Sequence, residues 1–283
     1  MRSARSPRTL RPVKTIPLED SYNDIIGKAQ RGLQLNDDAL ARKAGVSVAD
    51  VSSAKDGQFD EAVARKLAAA LSLAPDALVE SGKKVWYPKD LGEVPGLACF
   101  NTTYGDMTVN SYLIWDSKTQ QGACFDTGAN ASGMTKFASD RGIRIQSILL
   151  THTHPDHIAD LERLKAATDA AAFVSKLEAI DGAETFDAGK KFTVGTLQIE
   201  TRQTKGHSPG GITYIVNGLS NRIAVVGDAI FAGSMGGGAV SYADALKTNR
   251  EGILTLPDDT ILCPGHGPLT TVGEQKRHNP FFP

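Results

Sequence analysis

The chain has 283 residues, with 31 basic and 32 acidic side chains and a formal net charge of −1, so no whole-chain field points to nucleic acid or to an anionic membrane. The length suits one large domain plus a small one, and no apolar run approaches the ~20 residues that a membrane helix needs. The three cysteines, Cys99, Cys124 and Cys263, are far apart and form no CxxC pair, which excludes a disulfide framework and reads as buried, inert thiols in a reducing compartment.

Residues 1–19 carry Arg2, Arg5, Arg8, Arg11 and Lys14 and no acid before Glu19. They lack the apolar core of a secretory signal, and Pro7 and Pro12 break a continuous amphipathic helix. This reads as a disordered basic tail on a cytoplasmic protein, with an organelle-type transit segment as the alternative. Residues 20–82 are rich in alanine, leucine and charge and free of proline until Pro75, which predicts a small all-helical domain. Residues 83–96 hold two prolines and two glycines and read as a linker.

From residue 97 short apolar runs alternate with helical patterns, the texture of an α+β domain extending to 283. Strands are expected at 111–115, 122–128, 147–154, 171–175, 196–204, 211–217, 222–228 and 260–266. Helices are expected at 131–141, 156–168 and 241–254.

The segment THTHPDHIAD follows the apolar run SILL and precedes a helical pattern. It therefore falls on a loop at the C-terminal end of a strand, where sites in layered sheets collect. His152 and His154 are two apart and project to one side of extended backbone. Pro155 fixes the turn that brings in Asp156 and His157. Four ligand-type side chains within six residues can surround two cations. Imidazole with carboxylate suits Zn, with Fe or Mn as alternatives. His207 in TKGHSPGG, Asp228 ending RIAVVGD and His266 in ILCPGHGP repeat the arrangement of a strand running into a turn. Five of the six histidines thus stand at the mouths of successive strands, as a shared site at one sheet edge requires. Asp126, in CFDTG, also ends a strand. We read it as the acceptor that fixes the tautomer of a ligand imidazole.

On these residues the chain resembles the metallo-β-lactamase superfamily, with His152, His154, Asp156 and His157 as its HxHxDH motif and His207, Asp228 and His266 following in family order. The resemblance covers 97–283. It implies an αβ/βα four-layer sandwich holding two divalent metal ions, one on His152, His154 and His207, the other on Asp156, His157 and His266, with Asp228 bridging. TKGHSPGG, VVGDAIFAGS and ILCPGHGP are most similar to glyoxalase II and related thioester hydrolases. In that chemistry a metal-bridging hydroxide attacks the carbonyl of a small-molecule thioester, of the hydroxyacylglutathione kind, and Asp156 also orients the attacking water. The chain departs from the pattern in three places. Only 17 residues follow His266, without the helical C-terminal part that helps glyoxalase II hold glutathione. MGGGAV replaces a segment that bears arginine in many relatives. Asp160 stands where many members have glycine.

Within the helical segment, DALARKAGVSVADVSSAKDG resembles a helix-turn-helix of the phage-repressor type. Gly45 would form the turn, Ser47 would cap the second helix, and Leu40, Ala41, Ala44, Val48 and Val51 would pack between the helices. Residues 21–82 nevertheless hold seven basic and nine acidic residues, and the presumed recognition helix offers no Arg, Asn or Gln to base edges. Packing or homodimerisation is therefore the expected role, and nucleic acid is not an expected partner. Two readings compete with the hydrolase. One is a persulfide dioxygenase with one iron on the residues matching His152, His207 and Asp228. The other is a DNA-binding regulator whose hydrolase domain senses a metabolite.

Overall fold

The computed structural model describes residues 15–283. Most of the predicted basic tail lies outside the described residues, and residues 15–20 run without regular structure over the large domain.

Two six-stranded sheets form the centre. The first holds β1 (Leu97–Tyr104), β2 (Met107–Asp116), β3 (Gln121–Phe125), β4 (Arg144–Leu149), β5 (Ala171–Ser175) and β6 (Glu184–Phe186), in that order. The second holds β7 (Lys191–Val194), β8 (Leu197–Gln203), β9 (Ile212–Asn217), β10 (Ile223–Gly227), β11 (Ile261–Pro264) and β12 (Thr270–Thr271), again as consecutive neighbours. Strands β3 to β6 run parallel, as do β10 and β11; the other pairings are antiparallel.

The period-two rule sorts the side chains of each strand. In the β2–β3 pair, Tyr112 and Phe125 face the second sheet and join Leu149, Tyr214, Val225 and Cys263 between the layers. Leu113 and Cys124 face outward, against α6 (Ser132–Arg141) and α8 (Leu161–Thr168) through Met134, Ala138 and Leu164. The outer face of the second sheet packs Ile215, Ala224 and Leu262 against α9 (Tyr242–Gly252) and α10 (Val272–His278). The result is the four-layer αβ/βα sandwich.

Five helices precede it: α1 (Tyr22–Gly32), α2 (Asp37–Ala44), α3 (Val48–Lys55), α4 (Glu61–Leu71) and α5 (Pro75–Lys83). Ile25, Ile26, Leu40, Leu67 and Leu71 share one apolar core with the outer face of the second sheet, so these helices extend the fourth layer. Gly45 ends α2 at φ +64°, a left-handed conformation that favours glycine, and Ser47 caps α3 by accepting from Asp50 N–H. Val48 departs from expectation. It is 45% exposed, because the first helical position of α3 turns away from the core that Val51 enters.

Several elements differ from the sequence reading. The site strand β4 stops at Leu149, so Leu150–His154 are loop, whereas the strand was expected over 147–154. The predicted helix 156–168 is two pieces, α7 (Pro155–Ile158) and α8, divided at Asp160. The Asp160 carboxylate accepts from Ala131 N–H at 2.7 Å and so caps the approach to α6. Cys99, expected to be buried, is exposed, because β1 is the edge of its sheet; Cys124 and Cys263 are buried. Among the described residues no helix is long and apolar enough to cross a membrane.

Candidate metal centre

The chain ends of β3, β4, β10 and β11, with the loop after β8, meet at one edge of the sandwich. Two groups of side chains converge there. His152, His154, His207 and Asp228 form the first, and Asp156, His157 and His266 the second, each with its ligand atoms within 4.8 Å of one another. All seven residues named from the sequence are brought together.

Asp228 lies between the groups. Its Oδ2 is 3.4 Å from His207 Nε2, 3.9 Å from His152 Nε2 and 3.4 Å from His266 Nε2, and its Oδ1 is 3.3 Å from His157 Nε2. Asp156 Oδ2 is 3.3 Å from His266 Nε2 and 3.5 Å from His157 Nε2. His154 Nδ1 faces His207 Nε2 at 3.0 Å.

The outer nitrogens of four imidazoles are fixed by acceptors. His207 Nδ1–H donates to Gly237 O at 3.1 Å and His266 Nδ1–H to Thr108 O at 2.7 Å. His157 Nδ1–H donates to Asp126 Oδ2 at 2.8 Å. His152 Nδ1–H donates to Thr151 Oγ1 at 3.0 Å, and that hydroxyl donates in turn to Asp126 Oδ2 at 2.8 Å. Asp126 therefore orients two imidazoles, one directly and one through Thr151. It is held by Thr151 N–H on Oδ1 (2.7 Å) and sits at φ +55°, a left-handed conformation uncommon for a residue with a side chain. With Nδ1 protonated, each Nε2 presents a lone pair to the centre.

That leaves buried polar atoms with nothing to bond. His152 Nε2, His157 Nε2 and Asp228 Oδ1 are buried without a hydrogen-bond partner. Leaving such atoms unmatched in a folded interior is costly. Divalent cations are the group that converging imidazole nitrogens and carboxylate oxygens fit.

The electrostatics agree. Burial opposes charge on Asp228, yet His157 and His266 beside it outweigh burial and hold the carboxyl well below the usual range. Burial also disfavours the His157 imidazolium, but Asp228 and Asp126 prevail and push it up to about 10. His266 is pushed up to about 11 against burial by Asp156 and Asp228. His152 and His207 shift down, first through burial, with neighbouring histidines adding to it. The carboxylates thus create a strong demand for positive charge at this edge.

Two glycines let the backbone close over the centre. A Cβ on Gly265 would lie 2.1 Å from Asp228 Oδ1, and one on Gly236 would lie 1.9 Å from Asp228 O. Sequence reading missed the groups that hold the ligand loops. Glu178, on a 3-10 turn after β5, accepts from Thr153 Oγ1 at 2.7 Å and from Gly210 N–H at 2.8 Å. It ties the His152–His154 loop to the His207 loop. Nothing in the run VSKLEAI marks it. Asn110 donates from Nδ2 to Pro264 O at 3.0 Å and Gly267 O at 2.8 Å, and Tyr112 OH to Pro264 O at 2.6 Å, anchoring the His266 turn to β2. His278 lies away from the centre, 2.7 Å from Glu80 and stacked on Trp86.

The sequence profile of the metallo-beta-lactamase superfamily matches residues 104–266. The chain belongs to this superfamily. The protein named probable metallo-hydrolase YqgX, from Bacillus subtilis, is 27% identical over 204 residues, which cover 63% of this chain and 94% of that protein. Hydroxyacylglutathione hydrolase GloC from Haemophilus influenzae is 29% identical over 198 residues, covering 61% and 92%. Among solved structures, ETHE1 from Myxococcus xanthus superposes with a TM-score of 0.57 at 25% identity, covering 65% of this chain and 83% of that one. TTHA1623, solved in a di-iron-bound form, gives 0.54 at 25% identity, covering 65% and 100%. This chain is a metal-dependent hydrolase of the superfamily, with His/Asp clusters suited to divalent ions.

Proposed function

We propose that the protein hydrolyses thioesters of small molecules, of the hydroxyacylglutathione type, with two divalent cations, Zn first and Fe or Mn as alternatives. The observation that carries this reading is the set of inward-facing, unpartnered His152 Nε2, His157 Nε2 and Asp228 Oδ1 around one edge of the sandwich. The likeness to the protein named hydroxyacylglutathione hydrolase GloC supports the choice of substrate.

His152, His154 and His207 would hold one ion and Asp156, His157 and His266 the other, with Asp228 shared. The bound ions would supply a hydroxide nucleophile near neutral pH and a Lewis acid for the carbonyl oxygen. The chain's own contribution is placement. Asp126, Thr151, Thr108 and Gly237 hold Nδ1 of four imidazoles so that Nε2 stays available. Asp156, buried at the first turn of α7, would orient the attacking water through its carboxylate. A thiolate leaves without a strong acid, so the absence of a further proton donor among the seven residues is consistent with a thioester.

The test is thiol release from S-lactoylglutathione with metal content determined on the same sample. Turnover that vanishes in His154→Ala is expected. Full metal loading without thiol release would overturn the substrate, and oxygen uptake with glutathione persulfide in its place would overturn the hydrolytic step.

A further inference from the structure

The loop from Phe231 to Gly238 carries the Gly237 carbonyl that fixes His207, and it has little of its own to hold it. After Ser234 it reads MGGGAV, with three consecutive glycines and no charged side chain. Within it Phe231 and Ser234 form a short bridge and Gly237 O accepts from Ala239 N–H at 2.8 Å; its other polar anchors come from elsewhere. From α10, Gln275 accepts Gly233 N–H at 2.9 Å, and Asn279, just beyond that helix, donates to Ser234 O at 2.7 Å. Further anchors come from the N-terminal segment, some 200 residues earlier. Lys28 of α1 donates from Nζ to Met235 O at 2.9 Å. The same ammonium pairs with Asp20 at 2.5 Å, and Asp20 accepts from Ser234 Oγ at 2.5 Å. Lys28 and Asp20 side chains are only 16% and 7% exposed, so this is a built contact rather than a solvated surface pair.

The contact continues to the second ligand group. Lys28 Nζ lies 5.2 Å over the Phe231 ring, and Phe231 meets the His266 ring edge-on at 5.8 Å. Glu19 Oε2 approaches His266 Nδ1 at 4.0 Å. The glycine after His266 packs on this strap, where a Cβ on Gly267 would lie 3.3 Å from Glu19 N.

We infer that Lys28 and Asp20 are positioning residues of the metal centre. They set the 231–238 loop so that Gly237 O receives His207 Nδ1–H and Gly236 lies flat on Asp228 O. The N-terminal helices are by this account part of the catalytic unit. A part-buried ammonium bonded to a main-chain carbonyl and a carboxylate is a strong, directional anchor. Without it, the three glycines are restrained at Gly237 by little more than the Ala239 N–H bond, and the acceptor of His207 loosens.

The inference rests on His207 being a metal ligand. The test therefore measures binding of cobalt(II) alone to the full-length protein, by chelator competition and by the visible absorption of the bound ion. Lys28→Met is expected to lower affinity about tenfold or more, within the ~10–100-fold range of groups that orient ligands, and to alter the absorption band. Ser234→Ala, which removes the Asp20 link from the loop side, is expected to act in the same direction and substitutes for Lys28→Met if that variant does not fold. Val51→Ala, a core truncation in α3 away from the loop, should lower the melting temperature while affinity and spectrum stay at the wild-type values. Wild-type affinity and spectrum in both loop-anchor variants would overturn the inference alone, as would an equal loss in Val51→Ala. Failure of the wild-type protein to bind cobalt would overturn the metal centre itself.

Discussion

Asp116 and Asp228 both end strands of the sandwich, both are buried, and they lie at opposite ends of it. Asp116 is complete within the protein. Its Oδ2 accepts from Thr196 N–H at 2.8 Å, Thr196 Oγ1 at 2.9 Å and Thr119 Oγ1 at 3.0 Å, and its Oδ1 from Lys118 N–H at 2.9 Å. Backbone donors at Lys118 and Thr196 hold its carboxyl far below the ordinary range. It joins the β2–β3 turn to the β7–β8 turn and so locks the two sheets together. Asp228 has no such donors. Its neighbours are the Nε2 atoms of four histidines at 3.3 to 3.9 Å, and Oδ1 has no hydrogen-bond partner at all. A carboxylate surrounded by fixed N–H and O–H donors is structural. One surrounded by imidazole nitrogens, without fixed donors of its own, demands positive charge.

Asp228→Ala should break this contrast most severely. Both ligand groups lose their shared oxygens, so metal content by elemental analysis and hydrolytic activity should fall by more than the ~100-fold that marks the upper end for merely orienting groups. The melting temperature of the metal-free protein should not fall with them. Asp126→Asn sharpens the comparison next. It keeps the side-chain shape but replaces the acceptor that serves both His157 and Thr151, so metal affinity should drop about 10–100-fold, measured by chelator competition. A smaller loss is expected from Glu178→Ala, which strands Thr153 Oγ1 and Gly210 N–H in a buried site. That costs about 1–3 kcal/mol of stability by denaturant titration and loosens metal retention only through the two loops.

Asp116→Asn should have the smallest effect on function. Metal content and turnover should match the wild type, while stability falls at neutral pH. The sign follows from the depressed carboxyl: its contribution is full above the unfolded value of about 3.9 and is lost as pH falls. The melting-temperature gap between wild type and Asp116→Asn should therefore close below about pH 4. A gap that persists unchanged into acid would show that the carboxylate is not what joins the turns.

The side chains of the candidate metal centre were legible in the sequence because each follows a strand-like run into a turn, a pattern confined to a few neighbouring residues. The main strands were legible for the same reason, whereas the four layers followed from the resemblance to the superfamily. What was not legible rests on distance or on weak local signals. The edge strand β1 reads LACFNTTY, half polar, and its exposed position also undid the expectation for Cys99. The strands β6, β7 and β12 are two to four residues long, too short for a period to stand out. Glu178 reaches Gly210 across 32 positions, and Lys28 reaches Met235 across 207. No local pattern can announce such contacts, because the partner is supplied by the topology. The helix break at Asp160 came from a tertiary bond to Ala131 that overrides the helical pattern on either side.

The count of metal ions per chain tests the central claim most directly. Purified protein loaded with zinc and dialysed against metal-free buffer should retain about two ions per chain by elemental analysis, falling in Asp228→Ala. One ion or none in the wild type, or two ions retained in Asp228→Ala, would contradict the account of a carboxylate shared between two histidine-rich sites.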